Sequence, residues 1–299
     1  MFRQILALLA LPSTPGAPSS GTDIAVLEAV RALALPERGA VKHAGGRVYL
    51  MHVREKPRGL FGGSSAGSAA AIGPVPPSLT ETARALAREG IEVVTHFCEG
   101  RLTEEVDRVI REEQIDVVVV GRPGRGWGEH GLRVVRLADA PVLVMPEGTT
   151  LRRGSAVVGM DFSHNAVQAW MSASAFFSKV TAVAVIDAEG EQSDEATLRK
   201  QVQETWHTTV AKALAQSGRP AHTTADIHIE TSTHPADALL AAAKDADLLA
   251  VGSRGLTPIA AVLLGSTAEK LGARFPNPLL VYRDPGTRRG LIQSFLGVG

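Results

Sequence analysis

The sequence runs through the same series of strand-like and helix-like segments twice. Residues 115–120 and 247–251 are short apolar runs, and each leads directly into a Gly-x2-Gly pair. Residues 141–144 and 278–281 then repeat a Pro-x-Leu-Val closing segment. Each half holds five strand-like runs in the same order, separated by helical patterns. Strands that alternate with helices favour a parallel sheet, so the sequence predicts a tandem duplication of a parallel α/β unit.

The composition allows two ordinary folded domains. The chain has 299 residues, of which 44% are apolar and 21% charged, and this excludes a disordered protein. We expect domains over 1–148 and 154–285, followed by a C-terminal tail over 286–299. The formal net charge is zero, from 31 basic and 31 acidic residues, so nothing favours nucleic acid or a membrane as a partner. The single cysteine, Cys98, fits a reducing compartment, and we expect a cytoplasmic protein.

The N-terminal apolar run, residues 5–11, has two interpretations. It follows Arg3 and precedes a stretch of small residues, which loosely imitates a signal peptide, but it is short for export. It also supplies the first strand that the repeated unit requires, and we adopt this interpretation. Asp23 is then expected to cap a helix over 24–33. No run approaches the roughly 20 apolar residues of a membrane-spanning helix.

One glycine-marked stretch in the second half has the pattern of a phosphate-binding loop. It consists of Gly252, Ser253, Arg254 and Gly255, then nine residues, then Gly265, Ser266 and Thr267. An apolar strand-like run precedes it, and a helical pattern follows with Ser266 as a candidate N-cap. Backbone N–H groups at such a helix start suit a polyphosphate, because glycines allow close approach and the helix dipole favours negative charge. The alternative is a strand–turn–helix connection whose glycines serve only turns.

The first half carries an altered copy of this stretch. Alignment on the closing segments pairs Gly265 with Gly128, and only three residues separate Gly124 from Gly128, where the second half has nine. The first half also has Glu129 where the second has Ser266, and an ionised carboxylate cannot donate to a phosphate. Residues 9–13 lack an acid at the end of the first strand. We infer one working site, in the second half, and a degenerate first half.

The spacing Gly-x2-Gly-x9-Gly-Ser resembles the nucleotide-binding signature of the universal stress protein family. Asp161 after the first strand of the second half and the pair Pro235-Ala236 at a helix start add to the resemblance, which covers nearly the whole chain. It implies two tandem five-stranded parallel α/β sandwiches of Rossmann-like type, with ATP bound at the carboxyl ends of the strands. Family members often pair through their last strands, which here correspond to 142–145 and 279–282.

The resemblance also implies roles for individual residues. Asp161 and its neighbours would lie near the adenosine, Ile186-Asp187 would meet adenine through backbone groups, and the glycine stretch would surround ribose and phosphates. Arg254 would either contact the phosphates or remain solvated. The expected nucleotide-binding residues are Met160, Asp161, Phe162, Ser163, Ile186, Asp187, Gly252, Ser253, Arg254, Gly255, Gly265, Ser266 and Thr267.

The leading hypothesis is an ATP-binding stress-response regulator. AMP or ADP could replace ATP, with or without Mg²⁺, and the two alternatives are a nucleotide-independent interaction module and a slow ATPase. We assign no catalytic residue and no metal ligand, since the histidines lack a ligand spacing and Ser163-His164 beside Asp161 lacks a nucleophile elbow. We expect the last strands to pair within the chain, leave a homodimer open, and expect an unidentified regulatory protein partner.

Overall fold

A computed structural model describes residues 2–11, 20–35, 46–55, 74–124, 126–187, 194–217, 227–253 and 266–283. Within these residues the chain forms ten strands and eight helices. The strands are β1 (Gln4–Leu8), β2 (Arg47–Glu55), β3 (Glu92–Gly100), β4 (Val117–Arg122), β5 (Val142–Pro146), β6 (Ser155–Gly159), β7 (Lys179–Ile186), β8 (Ile227–Thr231), β9 (Leu248–Gly252) and β10 (Leu279–Tyr282). The helices are α1 (Gly21–Ala34), α2 (Pro77–Arg88), α3 (Leu102–Glu112), α4 (Glu129–Leu137), α5 (His164–Ser174), α6 (Glu195–Ser217), α7 (Pro235–Ala242) and α8 (Ser266–Arg274).

All ten strands join one continuous sheet. Its order is β3-β2-β1-β4-β5-β10-β9-β6-β7-β8, so each half contributes five adjacent strands. Neighbours are parallel except at the centre, where β5 and β10 run antiparallel with Leu280 opposite Leu143. The predicted pairing of the last strands within the chain is therefore confirmed.

The sheet is buried on both faces because its strands are apolar at successive positions. In β4, Val117, Val118 and Val119 have no exposed surface, and Val120 is 4% exposed. Side chains along a strand alternate between faces, so a strand with no polar alternation has to be covered on both sides. This is why the apolar run 115–120 predicts a fully buried strand.

The helices form two layers, each built from both halves. On one face, α1, α2, α5 and α6 pack into one apolar core that includes Trp170 and Trp206. On the other face, α3, α4, α7 and α8 pack into a second core that includes Val134 and Leu271. The predicted parallel α/β architecture with two tandem units is confirmed.

The element predictions hold with small shifts, one of which has a physical cause. β1 pairs with both β2 and β4, so the run near residue 5 does supply the first strand. Helix α1 begins at Gly21, and Ser20 is its N-cap, since the Ser20 hydroxyl accepts from the Asp23 N–H at 3.1 Å. Asp23 is thus the third residue of the helix and not its cap. Helix α4 has no counterpart among the sequence predictions, and the C-terminal tail 286–299 lies outside the described residues.

Two arginines connect the halves at the centre of the sheet. Arg122, at the end of β4, is 3% exposed; it donates from Nη2 to the Phe275 carbonyl at 2.7 Å and from Nη1 to the Gly272 carbonyl. Arg283, after β10, donates from Nη1 to the Arg136 carbonyl of α4 at 3.1 Å. The last carbonyls of a helix have no partner within it, so each arginine satisfies the helix end of the opposite half.

Trp127 adds a third connection. Its indole is 7% exposed, and Nε1 donates to the Glu269 carbonyl of α8 at 2.8 Å. The ring lies against Gly272, where a Cβ atom would overlap it. We call Arg122, Arg283 and Trp127 the seam. Through it, the shortened glycine stretch of the first half packs on α8 of the second half.

Within the described residues, no helix is long and apolar enough to cross a membrane.

Candidate functional site

A cavity of about 480 Å³ lies at the carboxyl ends of the second-half strands β6, β7 and β9. Crevices at this edge of open parallel sheets are where such folds bind ligands. The cavity is lined by Gly159, Met160, Asp161, Val183, Val185, Thr233, His234, Pro235, Ala236, Asp237, Leu239, Val251, Gly252, Thr267, Ala268 and Lys270.

Two helices begin at this cavity. Pro235 occupies the first turn of α7, where its missing N–H costs nothing, and Thr267 and Ala268 are the second and third residues of α8. The first N–H groups of a helix have no partner within it, and the aligned peptide dipoles place partial positive charge there. The cavity wall therefore offers backbone donors and a favourable field to an anion.

Gly252 fixes how the chain enters the glycine stretch. A Cβ atom at this position would lie 2.5 Å from the Ala166 nitrogen, so only glycine lets β9 approach the start of α5 this closely. Asn165, 8% exposed, donates from Nδ2 to the Ser253 carbonyl at 2.6 Å, and the Ser253 N–H donates to the Tyr282 carbonyl at 2.8 Å. The end of β9 is therefore held from two sides.

Asp161 sits in a tight turn between β6 and α5. Its Oδ1 accepts from the Ser163 N–H at 3.0 Å, and Phe162 between them has a φ of +59° in the left-handed region. Ser163 is the N-cap of α5 and accepts from the Ala166 N–H at 3.3 Å. This aspartate turn, closed by its own side chain, presents the exposed carboxylate at the cavity edge.

Charged groups of both signs line the cavity. Asp237 in the first turn of α7 is ion-paired with Arg274 of α8, and the hydrogen bond from Arg274 lowers the pKa of the Asp237 carboxyl. Lys270, one turn into α8, is exposed and brings an ammonium group to the same wall. The acid at α7 is thus neutralised by a partner, while Lys270 adds positive charge beside the two helix starts.

The structure brings together four of the predicted nucleotide-binding residues. Met160, Asp161, Gly252 and Thr267 line the cavity. Five others lie outside the lining but within two residues of it in the chain: Phe162, Ser163, Ile186, Asp187 and Ser253. Ser266 is the first residue of α8. Arg254, Gly255 and Gly265 lie outside the described residues.

The sequence predictions did not include several lining residues as site residues. Val183 and Val185 of β7 supply apolar wall, in place of the strand end at 186–187. Thr233 and Lys270 supply polar groups. The sequence could have indicated Thr233 and the segment after it as part of the site. A proline that opens a helix directly after a strand places the helix start at the carboxyl edge of a parallel sheet.

The first half has a smaller cavity at the corresponding edge. It measures about 300 Å³ and lies at the ends of β1, β2 and β4. Gly121 has the same structural role as Gly252, because a Cβ atom at this position would lie 2.7 Å from the Thr22 Cβ at the start of α1. Helix α4, which the sequence analysis did not predict, starts one residue after Gly128, at the position that the alignment pairs with the start of α8. Residues 9–13 contain no acid, but Asp23 brings a carboxyl group to the end of the first strand. Its Oδ1 accepts from the Ala10 N–H at 2.8 Å.

No group of three or more His, Cys, Asp or Glu side chains is arranged to hold a metal ion anywhere in the described ranges.

Comparison with known proteins extends these findings. The model of the Universal stress protein family matches the chain twice, over residues 16–146 and 154–283. No curated protein matches the chain. A putative universal stress protein from Pseudomonas aeruginosa UCBPP-PA14 is similar in fold, with a TM-score of 0.62 at 16% identity over 98% of this chain and 97% of its own.

Two further solved structures are similar over nearly full length. A functionally unknown protein from Pseudomonas aeruginosa PAO1 gives a TM-score of 0.59 at 16% identity, covering 99% of this chain and 98% of that one. A universal stress protein from Archaeoglobus fulgidus DSM 4304 gives 0.59 at 18% identity, covering 94% and 96%. These likenesses concern the fold, whereas the family model matches both halves of the sequence. The chain belongs to the universal stress protein family and carries two tandem copies of its domain.

Proposed function

We propose that the chain is a cytoplasmic stress-response regulator that binds ATP in the second-half cavity. The domain over 154–285 would hold the nucleotide, and the domain over 1–148 would be the degenerate copy. The observation that carries the proposal is the convergence of two helix starts and Lys270 on one cavity at the carboxyl edge of the sheet. AMP and ADP are weaker alternatives because they place fewer charges at these donors.

The cavity divides into parts that suit the parts of ATP. Met160, Val183, Val185 and Val251 form an apolar wall for the adenine ring. The Asp161 carboxylate at the rim can accept from ribose hydroxyls. Thr267 and Lys270, on the first turns of α8, face the polyphosphate.

The proposal is tested by titrating ATP into the full-length chain and comparing two matched variants. Thr267→Glu puts a carboxylate at the second position of α8, inside the cavity, and Thr103→Glu puts one at the second position of α3, outside it. We expect the first to weaken ATP binding by at least about tenfold, about 1.4 kcal/mol, and the second to leave it unchanged. Calorimetry on the purified full chain measures both.

Two outcomes would reject the proposal. Absence of ATP binding in the parent chain would favour the nucleotide-independent interaction module. Equal weakening by both variants would mean that phosphate is not bound at α8. Extraction of the purified protein provides an independent check, because a bound adenine nucleotide should co-purify with the parent and not with Thr267→Glu. Phosphate release above that of the variant would indicate slow ATP hydrolysis.

A further inference from the structure

The cavity of the first half is chemically different from its counterpart in the second half. Both lie at the carboxyl edge of the sheet, but the first is bounded by Asp23, His52 and Glu55 and by no described lysine or arginine. Its volume of about 300 Å³ is at the lower end of the range for small-molecule sites.

Asp23 is the most unusual of these groups. The residue is 1% exposed, and its Oδ1 accepts from the Ala10 N–H at 2.8 Å. Its Oδ2 is buried as well, and no donor from the described ranges reaches it. Burial raises the pKa of the Asp23 carboxyl, although the interactions with Ala10, Ser20 and His52 act in the opposite direction. A buried acceptor left without a donor costs about 1–3 kcal/mol, so a ligand that supplies a donor is stabilised by the difference.

His52 and Glu55 present further acceptors. The His52 Nδ1 lies 3.0 Å from the Leu9 carbonyl, which can only accept, so Nδ1 carries the proton and Nε2 of the neutral ring is an acceptor. Glu55 accepts from Arg133 at 2.9 and 3.0 Å and remains a carboxylate, since this pairing lowers its pKa. The polar side of the cavity is therefore dominated by acceptors.

The rest of the wall is apolar. Leu9, Met51, Val53, Leu102 and Val120 surround the polar groups. An apolar wall with a buried carboxyl suits a ligand that has an apolar or aromatic body and a compact N–H donor group. A phosphorylated ligand is disfavoured, because the wall carries the Asp23 and Glu55 carboxyls and, apart from His52 and His130, no basic side chain among the described residues.

We propose that the first-half cavity is a second, distinct ligand site, which binds a small phosphate-free molecule through an amine or amidine group that donates to Asp23 Oδ2. The apolar side chains hold the body of the ligand, and His52 Nε2 accepts a second N–H. The chain then carries two sites of opposite preference, one for an anion and one for a donor or cation. This inference is independent of ATP binding in the second half.

The test uses benzamidine as the probe on the full-length chain, with benzoate as a matched control. The two molecules have the same shape, but benzamidine is a cation with N–H donors and benzoate is an anion with acceptors only. We expect saturable binding of benzamidine by calorimetry and saturation-transfer NMR, and no binding of benzoate at the same concentrations.

Two variants locate the binding. Asp23→Asn keeps Oδ1 for the Ala10 N–H but places an NH₂ group where Oδ2 lay, so donor meets donor, and we expect at least tenfold weaker binding. Val53→Phe fills the cavity from its partly exposed rim, leaves Asp23 in place, and should also abolish binding. Thr267→Glu, in the other half, should leave benzamidine binding unchanged.

The inference is overturned if the parent chain does not bind benzamidine, or binds benzoate equally well. It is also overturned if Asp23→Asn, with a normal thermal melt, binds benzamidine as the parent does. Should Asp23→Asn fail to fold, Val53→Phe decides: unchanged binding in that variant places the probe elsewhere.

Discussion

Replacing Gly272 with alanine should destabilise the protein, although alanine is the better helix former. Gly272 lies inside α8, and a Cβ atom there would overlap the Trp127 indole. The indole would have to leave a position in which it is 7% exposed and hydrogen-bonded to the Glu269 carbonyl. The variant therefore opens the seam from the second half without replacing Arg122 or Arg283, and it keeps the Gly272 carbonyl to which Arg122 donates.

The net loss should be about 2.5 kcal/mol. Losing the indole hydrogen bond costs about 1 kcal/mol. Exposing about half of an indole that buries about 200 Å² costs about 2.5 kcal/mol at about 25 cal/mol per Å². Alanine in place of glycine inside a helix returns about 1 kcal/mol, which leaves about 2.5 kcal/mol of destabilisation.

The same substitution should change sign when Trp127 is absent. In a Trp127→Ala background no ring occupies the space beside α8, so Gly272→Ala should stabilise the chain by up to about 1 kcal/mol. The coupling between the two positions is then up to about 3.5 kcal/mol, slightly above the range of about 0.5–3 kcal/mol that is usual for contacting residues. Guanidinium denaturation of all four proteins, followed by far-UV circular dichroism, measures it.

One result would refute this reasoning. If Gly272→Ala stabilises the parent chain, the indole does not lie against α8 as described. Equal destabilisation in both backgrounds would also contradict the overlap, since the loss would then have a cause other than Trp127. Red-shifted tryptophan emission in Gly272→Ala, absent when Trp127 is removed, provides an independent check that the ring has moved.

Three further predictions concern the two cavities. Gly252→Ala and Gly121→Ala each force a strand away from a helix start and should lower the free energy of unfolding, measured with urea, by about 1–3 kcal/mol. Only Gly252→Ala should weaken ATP binding. Equal weakening of ATP binding by both variants would contradict a site confined to the second half. Because the pKa of Asp23 is raised on folding, its contribution to stability is present below its unfolded value of 3.8 and is lost as pH rises. The stability of Asp23→Asn relative to the parent should therefore rise between pH 4 and 7, and a difference that does not change with pH would mean that the carboxyl is not buried. Arg133 lowers the pKa of Glu55, so the pair stabilises the folded chain above the unfolded value of 4.5, and this stabilisation is lost as pH falls. In thermal melts, Arg133→Met should cost less than about 1 kcal/mol of stability at pH 7 and nothing near pH 3.

The sheet could be predicted from the sequence because its signal is local. The run 115–120 is apolar at nearly every position, and such a run flanked by a glycine turn has few other structures open to it. The order of the strands followed from the duplication, and the pairing of β5 with β10 followed from the family resemblance. These features depend on patterns within about ten residues of one another, or on repetition of them.

Helix α4 was missed because its local signal is weak. The segment Glu129–Leu137 is nine residues long and has Gly131 in its first turn, which disfavours a helix in isolation. It forms because Val134 and Val135 pack into the core and because Arg283 satisfies its last carbonyls. Both causes lie far away in the chain.

The candidate site was predicted only in part for the same reason. Asp161 and Gly252 follow strands directly, so the edge of the sheet on which they lie could be read from the sequence. Lys270 and Asp237 reach the cavity from helices, and their part depends on how α7 and α8 pack. Asp23 has the position of an ordinary acid at a helix start; only the fold shows that one of its oxygens is buried.

The antiparallel junction of β5 and β10 also bears on how the protein responds to dilution. Two separate domains that met through their last strands would part at low concentration, since each association would carry its own dissociation constant. Here residues 147–154 join the domain that contains β5 covalently to the domain that contains β10. A connection this short gives each domain an effective concentration in the millimolar range around the other. The ratio of one second-half cavity to one first-half cavity is therefore fixed at any protein concentration, and neither half can exchange its neighbour for another copy without breaking the centre of the sheet.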